Sequence, residues 1–212
     1  MSGSKHDRDR PRRGYHHGNL REALVEAALD LIGKMGPAGF TFAEAARAAG
    51  VSPAAPYRHF RDRDALMADI AQRGFALFGA DLSHAWNNGE PDPLSAFKNV
   101  GRAYLAFARS KPAFYAAMFE ARLPSGLNPE LDQAADQAFA VLRQASETLS
   151  AKLPKQNRPP ALMMALHVWA LSHGIASLFA RGDAGRRSLP MPPEDLLEAG
   201  ILVYLGGLGL DK

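Results

Sequence analysis

The 212-residue sequence contains no cysteine. A disulfide framework, thiolate zinc sites and cysteine nucleophiles are therefore excluded. Long apolar runs are also missing. The stretches Leu166–Ala180 and Leu196–Leu210 fall short of the roughly 20 residues of a membrane span and are broken by glycine or histidine, so no membrane span is expected. The opening MSGSKHDRDRPRR lacks the apolar core of a signal peptide, and a cytoplasmic location is expected. There is no G-x-S-x-G, no phosphate loop and no H-E-x-x-H, and Gly206-Gly207-Leu208-Gly209 opens no helix that could hold a phosphate. Neither an enzyme nor a cofactor is expected. Strand alternation and internal repeats are absent too, which leaves an all-α chain.

What is present is an apolar content of 47%, enough for a real core. The charge is unevenly placed. Residues 1–64 carry eleven Lys and Arg against eight Asp and Glu, and residues 65–212 carry fourteen against fourteen, so the net +3 sits in the first third. A solvated charge-rich tail is enough to explain so small an excess. Residues 1–14 read as a flexible basic arm containing Lys5, Arg8, Arg10, Arg12 and Arg13, with Asp7 and Asp9 opposing them.

Capping and stop signals divide the rest into about nine helices. Asn19 with Glu22 opens the first, which Gly36-Pro37 stops; Thr41 with Glu44 opens a second, alanine-rich one that closes at Gly50. Ser52 as N-cap and Pro53 at the first position start a third after a three-residue turn, the layout of a helix-turn-helix. Asp62 caps a long fourth, ended by Asn87-Asn88-Gly89. Asp92-Pro93 starts a fifth, Lys111-Pro112 breaks it from a short sixth, and Asn128-Pro129 starts a seventh. The eighth covers residues 161–180 and is apolar nearly all round; the ninth runs from about Pro193 to Leu205.

Within VSPAAPYRHF, Pro53 costs nothing because its amide would be an orphan, whereas Pro56 removes a donor and disfavours helical geometry at Ala55. The first turn of the third helix is expected to be distorted or 3₁₀-like. Ala54 and Ala55 keep it slim, so Tyr57, Arg58 and His59 could enter a major groove. The plainer alternative is a solvated helix with Phe60 packed inward.

The segment FTFAEAARAAGVSPAAPYRHFRDRDAL, within residues 15 to about 77, resembles the DNA-binding domain of the TetR family of bacterial transcriptional regulators, with A-G-V-S in the turn and Y-x-H-F closing the recognition helix. Pro56 departs from the leucine or isoleucine often found there. The resemblance implies a DNA-binding domain over residues 15–62 and a C-terminal effector-binding and dimerisation domain over 63–212. It further implies a homodimer on a palindromic double-stranded DNA operator, usually a repressor, released by a small-molecule effector. Carried over by position, Thr41, Tyr57, His59 and Arg63 match phosphate-contacting positions, and Ser52, Ala54, Ala55 and Arg58 lie where base edges are read. Arg58 suits either a guanine or a further phosphate. The competing function is non-specific or architectural DNA binding without a ligand.

Trp169, His173 and Gly174 form W-x-x-x-H-G, which resembles the C-terminal domain type named for that motif in a TetR subgroup. Trp169 and His173 share a helix face while His167 points elsewhere, so no metal pair is expected. The plainer reading of His173 is a hydrogen-bonded core or interface histidine. Phe97, Tyr104, Phe107, Tyr115, Met118, Phe119, Phe139, Met163, Trp169 and His173 are candidates to line an apolar effector cavity, or simply to fill a core. The eighth and ninth helices, the latter through Ile201, Val203, Tyr204 and Leu205, are expected to form the dimer interface.

Overall fold

The computed structural model describes residues 20–124, 126, 128–180 and 191–210. The basic arm and the Asn19 cap lie outside the described residues. Eight α-helices account for the fold, with no strand among the described residues: α1 (Leu20–Met35), α2 (Phe42–Ala48), α3 (Arg63–Trp86), α4 (Pro93–Ser110), α5 (Pro112–Phe119), α6 (Pro129–Ser150), α7 (Ala161–Ala180) and α8 (Pro193–Gly207).

The expected third helix is not an α-helix. Residues Ala55–Arg58 form a four-residue 3₁₀ segment, entered from Ala54 without a side-chain cap, so the expected cap at Ser52 is corrected. Ser52 contributes its carbonyl instead, accepting from the Ala55 amide at 3.0 Å. The cause is Pro56, which is buried and cannot donate; its carbonyl accepts from His59 and Phe60 at 2.9 and 3.0 Å and closes the segment.

The other expected ends hold. Thr41 and Glu44 make a reciprocal capping box, with the Glu44 amide donating to Thr41 Oγ1 at 3.2 Å and the Thr41 amide donating to Glu44 Oε2 at 2.7 Å. Asp62 accepts from the Ala65 amide, Asp92 from Leu94 and Ser95, and Asn128 from Glu130 and Leu131. Gly50 takes φ +74°, a left-handed conformation a β-carbon would strain.

Two apolar clusters organise the bundle, and α3 belongs to both. Its Leu66, Met67 and Ile70 pack with Leu24, Ile32, Phe40 and Phe60, while its Phe78, Leu82 and Trp86 pack with α4, α6, α7 and α8. Along its middle, α3 approaches α6 so closely that a β-carbon on Gly79 would lie 3.3 Å from Ala138 Cα. Polar ties fix α1 to α3: buried Asp69 accepts from Arg21 at 2.6 Å and faces Arg73 Nε at 2.9 Å, and Arg73 pairs with Glu22.

Helix α7 spans 20 residues and is apolar enough, by length and composition alone, to cross a membrane, which corrects the expected shortfall. Met164, Ala165, Val168, Ile175 and Ala176 nevertheless face the core, and Leu162, Met163, Leu166 and Leu178 are left exposed. On α8, Ile201 and Leu205 are each 1% exposed inside the subunit, so they are core residues rather than the expected interface; Val203, at 77%, points outward.

Candidate nucleic-acid interface and effector cavity

Capping at Thr41 and the left-handed Gly50 bring the start of α2, the turn and the 3₁₀ segment to one surface. Thr41, Ser52, Ala54, Tyr57, Arg58 and His59 are exposed there, and Ala55 is half-buried. Tyr57 remains 62% exposed while its ring meets Phe42 edge-on at 5.1 Å between centroids, so the ring is anchored with the side chain still open to solvent. Phe60 is buried beneath the Arg21 guanidinium. Arg58 and His59 have no ion pair among the described residues, which leaves their donors available to phosphate oxygens or base edges.

Arg63 differs from this group. Its Nε donates to the Phe40 carbonyl at 2.9 Å, its terminal nitrogen donates to the Pro37 carbonyl, and its guanidinium lies 4.9 Å from the Phe40 ring centroid. With its side chain 27% exposed, Arg63 ties the start of α3 to the loop between α1 and α2.

A cavity of about 350 Å³ opens between α3, α4, α6 and α7. Of the ten residues expected to line it, Tyr104, Phe119, Phe139 and Trp169 do so. The rest are placed elsewhere. Phe97, Phe107 and Tyr115 are buried in the core, Met118 packs over Gly74, and Met163 is 48% exposed on the outer side of α7. His173 lines a second, more polar cavity of about 600 Å³, together with the Met35–Ala38 loop, Glu120, Arg122 and Ser177. Phe119 is a wall of both.

Behind the first cavity lies a hydrogen-bonded cluster. Trp169 Nε1 donates to the Tyr104 hydroxyl at 3.3 Å, and the Tyr104 and Tyr115 hydroxyls lie 3.1 and 2.9 Å from His173 Nδ1. Burial raises both phenols above their ordinary range and pulls the His173 imidazole below its own, with Glu120 opposing the latter. Neutral phenols are donors, so this arrangement suits Nδ1 as acceptor with the ring proton on Nε2.

Comparison with known proteins gives two family matches. Residues 24–70 match the model of bacterial regulatory proteins of the tetR family, and residues 97–204, just over half of the chain, match the tetracyclin repressor-like C-terminal domain. The chain belongs to the TetR family. The HTH-type transcriptional regulator YobS of Bacillus subtilis is 25% identical over 198 residues, spanning 90% of this chain and 93% of YobS. A solved protein of unknown function from Rhodococcus sp. RHA1 is 30% identical, with a TM-score of 0.76 over 93% of this chain and 99% of that one. The structure of AibR in complex with isovaleryl coenzyme A and operator DNA shares the fold at 17% identity, with a TM-score of 0.65 over 87% of this chain and 97% of that one.

This TetR-family chain is thus a DNA-binding transcriptional regulator, and TetR-family regulators are soluble DNA-binding proteins. Several cavity residues escaped the sequence reading: Phe75, Phe78 and Leu82 on α3, Asp136 on α6, and Leu166 and Ser172 on α7. The α3 residues recur at helical spacing, a pattern that ordinary core positions share. The available signal was the pair of small residues Ala135 and Ala138 on α6, which line the cavity without filling it.

Proposed function

We propose that this regulator is a homodimeric repressor that binds a palindromic operator and leaves it when a small molecule occupies the 350 Å³ cavity. The observation that carries the reading is the wall of that cavity. Phe75, Phe78 and Leu82 belong to α3, the same helix whose first residue, Arg63, holds the loop beneath the DNA-reading surface. A ligand that displaces α3 or Phe119 therefore acts on both the recognition segment and the 36–38 loop. A few ångströms of shift between two recognition segments is enough to spoil half-sites spaced about 34–36 Å or a multiple.

In this reading the DNA-binding unit runs through Asp62 and the effector unit starts at Arg63, although the first turns of α3 share the core of the former. Thr41, Tyr57 and His59 contact phosphates, Ser52, Ala54 and Ala55 approach base edges, and Arg58 reads a base. Arg63 holds the loop rather than meeting DNA. The protomers meet through the outer faces of α7 and α8, where Met163, Leu166, Leu178 and Val203 are exposed and Gly174, Gly206 and Gly207 leave room for close approach. A cytoplasmic location accompanies this function.

A filled C-terminal core would have favoured a ligand-free, non-specific DNA binder; the cavity favours regulation. The test is selection of bound fragments from random DNA, followed by titration of the selected site with and without members of a small-molecule library. Fragments with a two-fold pair of half-sites, and a compound that weakens binding to them, are expected. Selected DNA without symmetry, or competition by random DNA at equal strength, would overturn the proposal.

A further inference from the structure

The proposed effector cavity has an uneven chemistry. Six aromatic rings line it, those of Phe75, Phe78, Tyr104, Phe119, Phe139 and Trp169. Among the described lining residues Asp136 is the sole charged group, and no Lys, Arg or His joins it. His173 and Arg122 line the second cavity, of which Phe119 is also a wall. Asp136 is exposed on α6 and has no ion pair among the described residues. The segment of α6 from Pro129 to Leu142 contains Glu130, Asp132 and Asp136 and no Lys or Arg.

We propose, resting on the reading of this cavity as the effector site, that the effector is a lipophilic cation: an aromatic or polycyclic body carrying an amine or quaternary ammonium group. An anion entering the cavity would surrender its hydration and find no cation among the described lining residues to replace it. A cation meets the opposite conditions. Aromatic rings can attract it through their faces, and Asp136, an exposed residue of the lining, adds a carboxylate. A neutral polar ligand gains little, because the Tyr104 hydroxyl is already engaged by Trp169 and His173, leaving the Ser172 hydroxyl as the main neutral partner. Size sets the body: an apolar cavity of about 150 Å³ accepts benzene, so this one suits about two rings.

Three probes with the same two-ring body separate the terms: (1-naphthylmethyl)trimethylammonium, 1-naphthylmethanol and 1-naphthylacetate. Binding to the full-length protein is followed by calorimetry and by quenching of Trp169 fluorescence, with Trp169→Phe as the control that assigns the signal. The cation is expected to bind about tenfold more tightly than the anion, with the alcohol between them. Asp136→Asn, a change at an exposed position, should lower cation affinity about fivefold or more while leaving the alcohol within about twofold. Equal or tighter binding of the anion would overturn the cationic class while leaving the cavity as a ligand site. An unchanged cation affinity in Asp136→Asn would overturn the role of that carboxylate. Failure of all three probes to bind, with operator binding intact, would overturn the proposal and weaken the effector reading beneath it.

Discussion

Replacing Arg63 with alanine separates the phosphate contact that the family resemblance implies from the structural role that its hydrogen bonds support. In the structure the guanidinium donates to the carbonyls of Pro37 and Phe40 and lies over the Phe40 ring. A hydrogen bond from a charged donor contributes about 1.5–3 kcal/mol, and an exposed cation–π contact about 0.5–1 kcal/mol. Water can reach the side chain, which is 27% exposed, and can replace part of what is lost. The net cost of Arg63→Ala is therefore set at about 2 kcal/mol of stability. Operator affinity should also fall, because the freed loop leads directly into the Thr41 cap of α2. The two effects differ in their salt dependence. A side chain that neutralises a phosphate contributes about 0.9 to the slope of log K against log salt, and a side chain that only holds a loop contributes none. Urea unfolding combined with operator titrations at several salt concentrations reads both quantities. Arg63→Ala with unaltered stability and a slope reduced by about one would refute the structural assignment and return Arg63 to the phosphate-contacting set.

The burial-depressed His173 pKa fixes another expectation. The unfolded chain takes up this proton near pH 6.5 and the folded one only lower, so stability should fall as pH drops below about 6.5, and His173→Gln should flatten that decline. Carboxylates held below their ordinary range, such as Glu22, Asp62 and Glu198, contribute losses only beneath about pH 4.5, so a urea series between pH 5 and 7 isolates the histidine. Val203→Asp should give a folded monomer with weakened operator binding, whereas Ile201→Asp should destabilise the subunit itself; sedimentation and thermal unfolding tell these apart, and a wild-type monomer at micromolar concentration would remove the interface. Asp69→Asn should cost about 2 kcal/mol by weakening the ties from α3 to Arg21 and Arg73, and an unchanged denaturant midpoint would show those pairs to be inconsequential. Arg58→Ala should relax preference at one base pair, while Tyr57→Phe should weaken specific and random DNA alike, as read by titration on single-base variants.

The difference between what was legible in the sequence and what was not follows from how local each cause is. Helix ends at Thr41, Asp62, Asp92 and Asn128 were readable because a cap satisfies amides two or three residues away. The distortion at Pro56 was readable for the same reason, although the missing donor shortened the whole element to a 3₁₀ segment rather than its first turn alone. The cavity has no comparable local cause. Phe97 and Tyr104 lie seven residues apart on α4 and carry the same periodic signal, yet Phe97 fills the core and Tyr104 faces empty space. What separates them is the volume contributed by other helices, especially the small Ala135 and Ala138 on α6, and no single helix's pattern contains that sum. Exposure is similarly non-local: Ile201 and Val203 are both β-branched residues on α8 and helix geometry sets them on opposite sides, but which side is covered depends on α4, whose Gly101 lies against Ile201. The same physics explains why the DNA-reading surface followed from a short motif while ligand chemistry required the assembled bundle. Phosphate recognition needs exposed donors placed by one turn, whereas a cavity's preference for charge depends on every side chain that could have reached it, including His173 and Arg122, which line the second cavity instead.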